Sequence, residues 1–237
     1  MSALLVCSPL RLEARAVRRG LPGPDSGSVR VTGYGPARSR RQAQALAAAD
    51  FSALAIAGVG GGLTDDLAPG DLVVGTDVSD GQHTTRCAAA PLLAGELCRA
   101  GLTARAGPVV TVDRLALGAA ARHRLASGGA LAVDMESAPL AKAAGDRPVA
   151  VIRAVSDTPA RPLLRPGIVT GGLAALRSLR AASPVLARWA AAAGPRRVLL
   201  AGPRSFCAGV ERAIDSGASP SVPSTSSCPA CPMSTTR

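Results

Sequence analysis

Three short stretches of this 237-residue chain hold residue types that do chemistry, and each lies at the end of an apolar run. The first is Gly58–Leu63, GVGGGL, after ALAIA. Lacking Cβ atoms, Gly58, Gly60 and Gly61, with Val59 among them, let backbone N–H groups come close to a ligand oxygen or anion. The same residues also suit a tight strand-to-helix turn, and they match neither a P-loop nor the full dinucleotide fingerprint. The second is Val133–Ser137, VDMES, which closes the run ALAV. Asp134 and Ser137 suit capping of a following helix. Glu136 is one of only four glutamates (13, 96, 136 and 211). A carboxylate there can accept hydrogen bonds from two adjacent sugar hydroxyls, as on a ribose. The third is Arg153–Thr158, RAVSDT, after PVAVI. Asp157 could close an Asx-turn or cap a helix; partly desolvated, it could instead donate a proton.

The elements that must carry these residues alternate in type. Strands are predicted at Ala3–Cys7, Val29–Thr32, Ala53–Ala57, Asp71–Thr76, Ala104–Val112, Ala130–Val133 and Val149–Val155. Helices are predicted at Leu12–Arg19, Arg41–Ala49, Pro91–Ala100, Ala116–Ala126, Met135–Ala144, Thr170–Ala181 and Pro184–Ala193. That order reads as an α/β domain over residues 1–195, with a central sheet covered by helices. In such sheets ligands bind beyond the carboxyl ends of the strands, where all three stretches fall. From residue 216 to 237 the chain is Ser, Pro and Thr without periodicity, which predicts a disordered tail.

Composition narrows the function. Hydrophobic residues make up 47% and mean hydropathy is +0.24, enough for a sizeable core. Aromatics are only 2%, so that core must be Ala, Leu and Val. Net charge is +11, but 26 of the 27 basic residues are scattered arginines with no aromatics to stack on bases, which argues against nucleic acid as a partner. No apolar run is long enough for a membrane span, and the N-terminal basic residues follow the short apolar run, the reverse of a secretory leader. The expectation is a cytoplasmic protein with no stable membrane anchor. Its six irregularly spaced cysteines read as reduced thiols.

The order IAGVGGGLTDDLAPGDLVV, then AVDMESAPLA, then VIRAVSDT, resembles the nucleoside phosphorylase and nucleosidase superfamily over residues 3–160. That superfamily includes purine nucleoside phosphorylases and methylthioadenosine/S-adenosylhomocysteine nucleosidases. Gly171–Ala190 resembles the end of the hopanoid-associated branch, which removes adenine from adenosylhopane. The resemblance implies a mixed central sheet flanked by helices in three layers, a nucleoside substrate, a homo-oligomer, and neither metal nor cofactor. It also assigns roles. Asp157, beside Ser156, would protonate or hydrogen-bond the purine at N7. Glu136 would hold the 2′- and 3′-hydroxyls, with Met135 against the sugar. Glu13 would activate water, and Gly58–Gly61 would line the nucleophile's side of the ribose. Glu13 could equally be an exposed helix residue pairing with Arg11 or Arg15.

The resemblance has limits. Phosphorolytic members place an arginine and a serine where this chain has Ile56 and Val59, and no aromatic for stacking on the base is evident. The loop Asp80–Cys87 would border the pocket, where Gln82 and His83 could contact substrate, although a solvated state suits a loop histidine better. Residues 196–215, RRVLLAGPRSFCAGVERAID, resemble the opening strand and first cluster-binding cysteine of hydroxymethylbutenyl diphosphate reductase. The rest of that iron–sulfur enzyme is absent, so the stretch reads as a remnant rather than a working cluster site.

Overall fold

ALAIA is apolar on both sides and must be covered on both, and it begins the strand around which the structure is built. A computed structural model describes residues 4–116, 118–160 and 168–193. Residues 196–237, with the reductase-like stretch, the tail and three of the cysteines, lie outside the described residues. Eight strands form one sheet: β1 Leu4–Ser8, β2 Ser28–Val31, β3 Ala53–Gly62, β4 Leu72–Ser79, β5 Thr84–Arg86, β6 Ala104–Thr111, β7 Ala132–Asp134 and β8 Val149–Asp157. Six helices accompany them: α1 Arg11–Gly20, α2 Pro36–Ala47, α3 Ala90–Arg99, α4 Ala119–Ser127, α5 Ser137–Lys142 and α6 Ile168–Ala193. This is the expected α/β class with a mixed sheet. None of the described helices is long and apolar enough to cross a membrane.

β1 pairs in parallel with β2 and β3, and β3 pairs in parallel with β8. β8 runs antiparallel to β4, which pairs with the short hairpin strand β5 and with β6. β6 pairs with β7, and β7 returns antiparallel to the far end of β3 at Gly61 and Gly62. Five strands therefore close a ring, β3–β8–β4–β6–β7. Ala53–Ala57, Leu72–Val74 and Val149–Ile152 are buried along it and make the core.

Three sequence expectations need correction here. Gly58–Gly62 is no turn; β3 runs straight through it. Neighbouring side chains explain why: a Cβ at Gly60 would stand 3.1 Å from the Val133 carbonyl and the Arg153 Cβ, and one at Gly62 would stand 3.1 Å from Val155. The glycines let three strands crowd together. The second correction concerns Pro184, which does not divide α6. Ala175, Leu179, Ala182, Leu186, Trp189 and Ala190 form one buried stripe at helical spacing, so breaking the helix would turn half of it away from the core. The Arg180 carbonyl, which Pro184 cannot serve, lies against Gly20 of α1, where no Cβ intervenes. The helix predicted from Met135 also begins later, at Ser137, leaving Glu136 outside its first turn.

Gly171 and Gly172 make a paired test. A Cβ on Gly171 would overlap the Ser156 carbonyl at the end of β8, whereas one on Gly172 meets nothing within 4 Å. Gly172→Ala should stabilise the fold by about 0.5–1 kcal/mol through helix propensity. Gly171→Ala should destabilise it by about 1–3 kcal/mol through overpacking. Urea melts of the two variants should move in opposite directions from wild type.

Candidate active site

The ends of β1, β3, β7 and β8 open on a cavity of about 230 Å³. Glu13, Glu136 and Asp157 line it together with Val59, Gly60, Gly61, Met135 and Ser156. Of the residues expected at the site, only Gly58 stands outside the lining. A Cβ there would strike the Arg153 guanidinium and Pro9 and approach the Glu13 carboxylate, so Gly58 makes room beneath the cavity.

Under the floor lies a fully buried ion pair, Arg153 Nε to Asp134 Oδ2 at 2.6 Å. Arg153 Nη2 donates to Ser137 Oγ at 2.8 Å and Nη1 to the Val59 carbonyl at 3.4 Å. Asp134 Oδ1 accepts the Thr111 hydroxyl at 2.7 Å and the N–H groups of Glu136 and Ser137 at 3.1 Å. Asp134 is thus the helix-start acceptor its sequence position suggested, and it carries a buried charge as well. Arg153 had a sequence signal, a lone charge inside an apolar strand.

Glu13 is 2% exposed and not a surface partner of Arg11 or Arg15. Its Oε1 accepts the Val59 N–H at 2.8 Å and its Oε2 the Leu10 N–H at 2.6 Å, closing the first turn of α1. Burial holds its carboxyl above the usual carboxylate range, against the opposing pull of the Val59 N–H and the Arg153 charge. The glycine strand therefore offers its Val59 N–H to a side chain of this protein rather than to an anion.

Glu136 is likewise raised by burial, with Arg153 and the Gly35 N–H opposing. Its Oε1 accepts that N–H at 2.8 Å. Met135 Sδ accepts the Tyr34 hydroxyl at 3.1 Å, which brings a half-exposed aromatic to the cavity. Neither Tyr34 nor Gly35 was legible in the sequence as part of the site, because both reach it from the loop after β2.

Asp157 Oδ1 accepts the Ser156 hydroxyl at 2.6 Å, and its Oδ2 is ion-paired with Arg122 of α4. Ser156 is the extra residue of a bulge where Gly60 and Gly61 face Val155 and Asp157, a device that re-aims a strand end. A second cavity of about 60 Å³ adjoins, lined by Leu115, Ala116 and Arg122 as well as Asp157. Nothing in the sequence separated Arg122 from the other arginines. His83 is exposed as expected, and Gln82 borders a further cavity of about 450 Å³ that meets the site at Met135.

The cavity brings three carboxylates, Glu13, Glu136 and Asp157, into one lining. Such an arrangement can bind hydroxyls, deprotonate water and protonate a leaving group. Among the described residues, no cluster of His, Cys, Asp and Glu is placed to hold a metal ion. Cys7 and Cys87 are buried thiols pushed up to about 12 by desolvation, while Cys98 is exposed.

A family model described as the phosphorylase superfamily matches residues 21–170. No curated protein matches the sequence. Among solved structures, futalosine hydrolase of Helicobacter pylori is similar at 18% identity and TM-score 0.61, over 79% of this chain and 95% of that one. A 5′-methylthioadenosine/S-adenosylhomocysteine nucleosidase from Neisseria meningitidis, in complex with methylthio-immucillin-A, is similar at 18% identity and TM-score 0.66, over 79% and 100%. The corresponding nucleosidase of Campylobacter jejuni is similar at 16% identity and TM-score 0.65, over 79% and 98%. At these identities the likeness is one of fold.

Glu136 yields a prediction about pH. Its carboxyl is raised in the folded state, so the fold binds that proton more tightly than the unfolded chain does. The stability it contributes is present below the ordinary carboxylate range and is lost as pH rises through the folded value. Glu136→Gln should therefore melt above wild type at pH 8, with the gap closing towards pH 4. Parallel thermal melts across that range provide the check.

Proposed function

The chain belongs to the phosphorylase superfamily, and on that premise we propose that it is a hydrolytic purine nucleosidase. The observation that carries the reading is Glu13, a buried carboxylate whose Oε1 rests on the Val59 N–H, in one cavity with Glu136 and Asp157. In this reaction water attacks C1′ of the ribose as the bond from C1′ to the base nitrogen breaks. Glu13 accepts the proton from water, and Asp157 protonates or hydrogen-bonds the base at N7, so that the base leaves neutral. Glu136 holds the 2′- and 3′-hydroxyls while positive charge develops on the sugar, and Met135 lies against it. Burial raises the Glu13 carboxyl, which strengthens it as a base toward water.

Water rather than phosphate is the nucleophile in this reading. Ile56 is sealed in the core and Val59 offers only its backbone, so neither supplies the charge or hydroxyl a phosphate dianion needs. A carboxylate at Glu13 repels an anion and orients water.

The resemblance of Gly171–Ala190 to the hopanoid-associated branch supports adenine as the base and a 5′-substituted ribose, adenosylhopane among the candidates. We read the enzyme as cytoplasmic and homo-oligomeric, with residues 196–215 a remnant of a reductase-like sequence and 216–237 a tail.

Base release from a panel of 5′-substituted adenosine derivatives, followed by chromatography, tests the reading. Release in phosphate-free buffer, with free ribose product and no acceleration at tens of millimolar phosphate, is the expected result. A phosphate-dependent rate with a sugar 1-phosphate product would mean a phosphorylase. Tight binding without turnover would mean a nucleoside-binding protein, and bound iron with brown colour a reductase. Asp157→Asn should lower kcat on the order of 10²–10⁴-fold, and Glu13→Gln should abolish most turnover with binding nearly intact. Wild-type rates in both folded variants would remove these residues from the mechanism.

A further inference from the structure

Arg122 takes no part in the chemistry above, yet it is a buried charge, 6% exposed, in a built setting. Its guanidinium serves three acceptors on three different elements. Nε donates to the Ala116 carbonyl at 3.1 Å, in the loop ahead of α4. Nη1 donates to the Gly62 carbonyl at 3.3 Å, at the end of β3. Nη2 is ion-paired with Asp157 Oδ2, at the end of β8. Nη2 also lies beside Gly61, where a Cβ would come into van der Waals contact with it at 3.4 Å. The Ser156 hydroxyl occupies Asp157 Oδ1, so both oxygens of the carboxyl are held. Leu115, Ala116, Arg122 and Asp157 together line the smaller cavity beside the ribose site.

We infer that Arg122 is a positioning residue for the departing base. It fixes the direction of Asp157 and ties it to the Leu115–Ala116 wall, so that wall and acid hold the base as one unit. The inference rests on the nucleosidase reading. A guanidinium is needed because its planar fork reaches acceptors in three directions, which the single nitrogen of a lysine cannot do. An arginine that only braced the fold would act independently of Asp157; one that aims the acid loses its effect once the acid is gone.

A double-mutant cycle separates these roles. Base release is measured for wild type, Arg122→Gln, Asp157→Asn and the double variant, each checked for folding by circular dichroism. Arg122→Gln should lower kcat on the order of 10²-fold with KM changed by less than about threefold. The double variant should be no more than about threefold slower than Asp157→Asn alone. Losses that multiply, or no loss in Arg122→Gln, overturn the inference. Should Arg122→Gln fail to fold, Arg122→Lys takes its place in the cycle, with a smaller loss and the same non-additivity expected. Absence of base release by wild type would overturn the nucleosidase reading itself, and this inference with it.

Discussion

Almost everything at the site is fixed, directly or at one remove, by the guanidinium of Arg153. A charge this deeply buried is tolerated only with partners on every side, and Asp134, Ser137 and the Val59 carbonyl supply them. Asp134 then sets the start of α5 and the N–H of Glu136, while Val59 turns its own N–H to Glu13. Two of the three carboxylates thus take their places from one ion pair. Removing one member of such a pair costs about 3–5 kcal/mol, because the other is left charged and dry. The same guanidinium also opposes the rise that burial imposes on Glu13 and Glu136.

The second constraint is closeness. Along β3 a Cβ would strike the Arg153 guanidinium at Gly58 and would stand within 3.1–3.2 Å of Arg153, Val133 or Val155 at Gly60, Gly61 and Gly62. Glycine here is a spacing device for a strand with neighbours on both edges, and no anion cradle is needed to account for it. The bulge at Ser156 sits where β3 is paired on both edges at once, Gly61 facing Asp157 of β8 on one side and Val133 of β7 on the other. Asp157 emerges at that point.

Much of this was legible in the sequence, for identifiable reasons. Apolar runs such as ALAIA marked the buried strands, and carboxylates at their ends marked the crevice, so Glu136 and Asp157 could be named from type and place. Glu13 was ambiguous because arginines flank it on a helix, and only the tertiary approach of Val59 shows that it faces inward. Tyr34, Gly35 and Arg122 were not legible, since each reaches the site from an element with no chemical pattern of its own. The glycine run was misread as a turn because local chemistry says what a glycine permits, not which neighbour requires it. Pro184 misled in the same way: a long buried stripe outweighed a local helix breaker.

The ring of strands also dictates an order of assembly. β8 lies between β3 and β4, although it is the last of the described strands in the sequence. Until Val149–Asp157 leaves the ribosome, β3 and β4 each present an unpaired apolar edge, the kind of surface on which nascent chains aggregate. The pairings of β8 join residues about 80 to 95 positions apart, so loop closure must precede any gain from them, a topology that works against fast folding. Asp157, the acid of the proposed mechanism, is carried by that same late strand. On that mechanism, the three carboxylates come together only once β8 has inserted between β3 and β4.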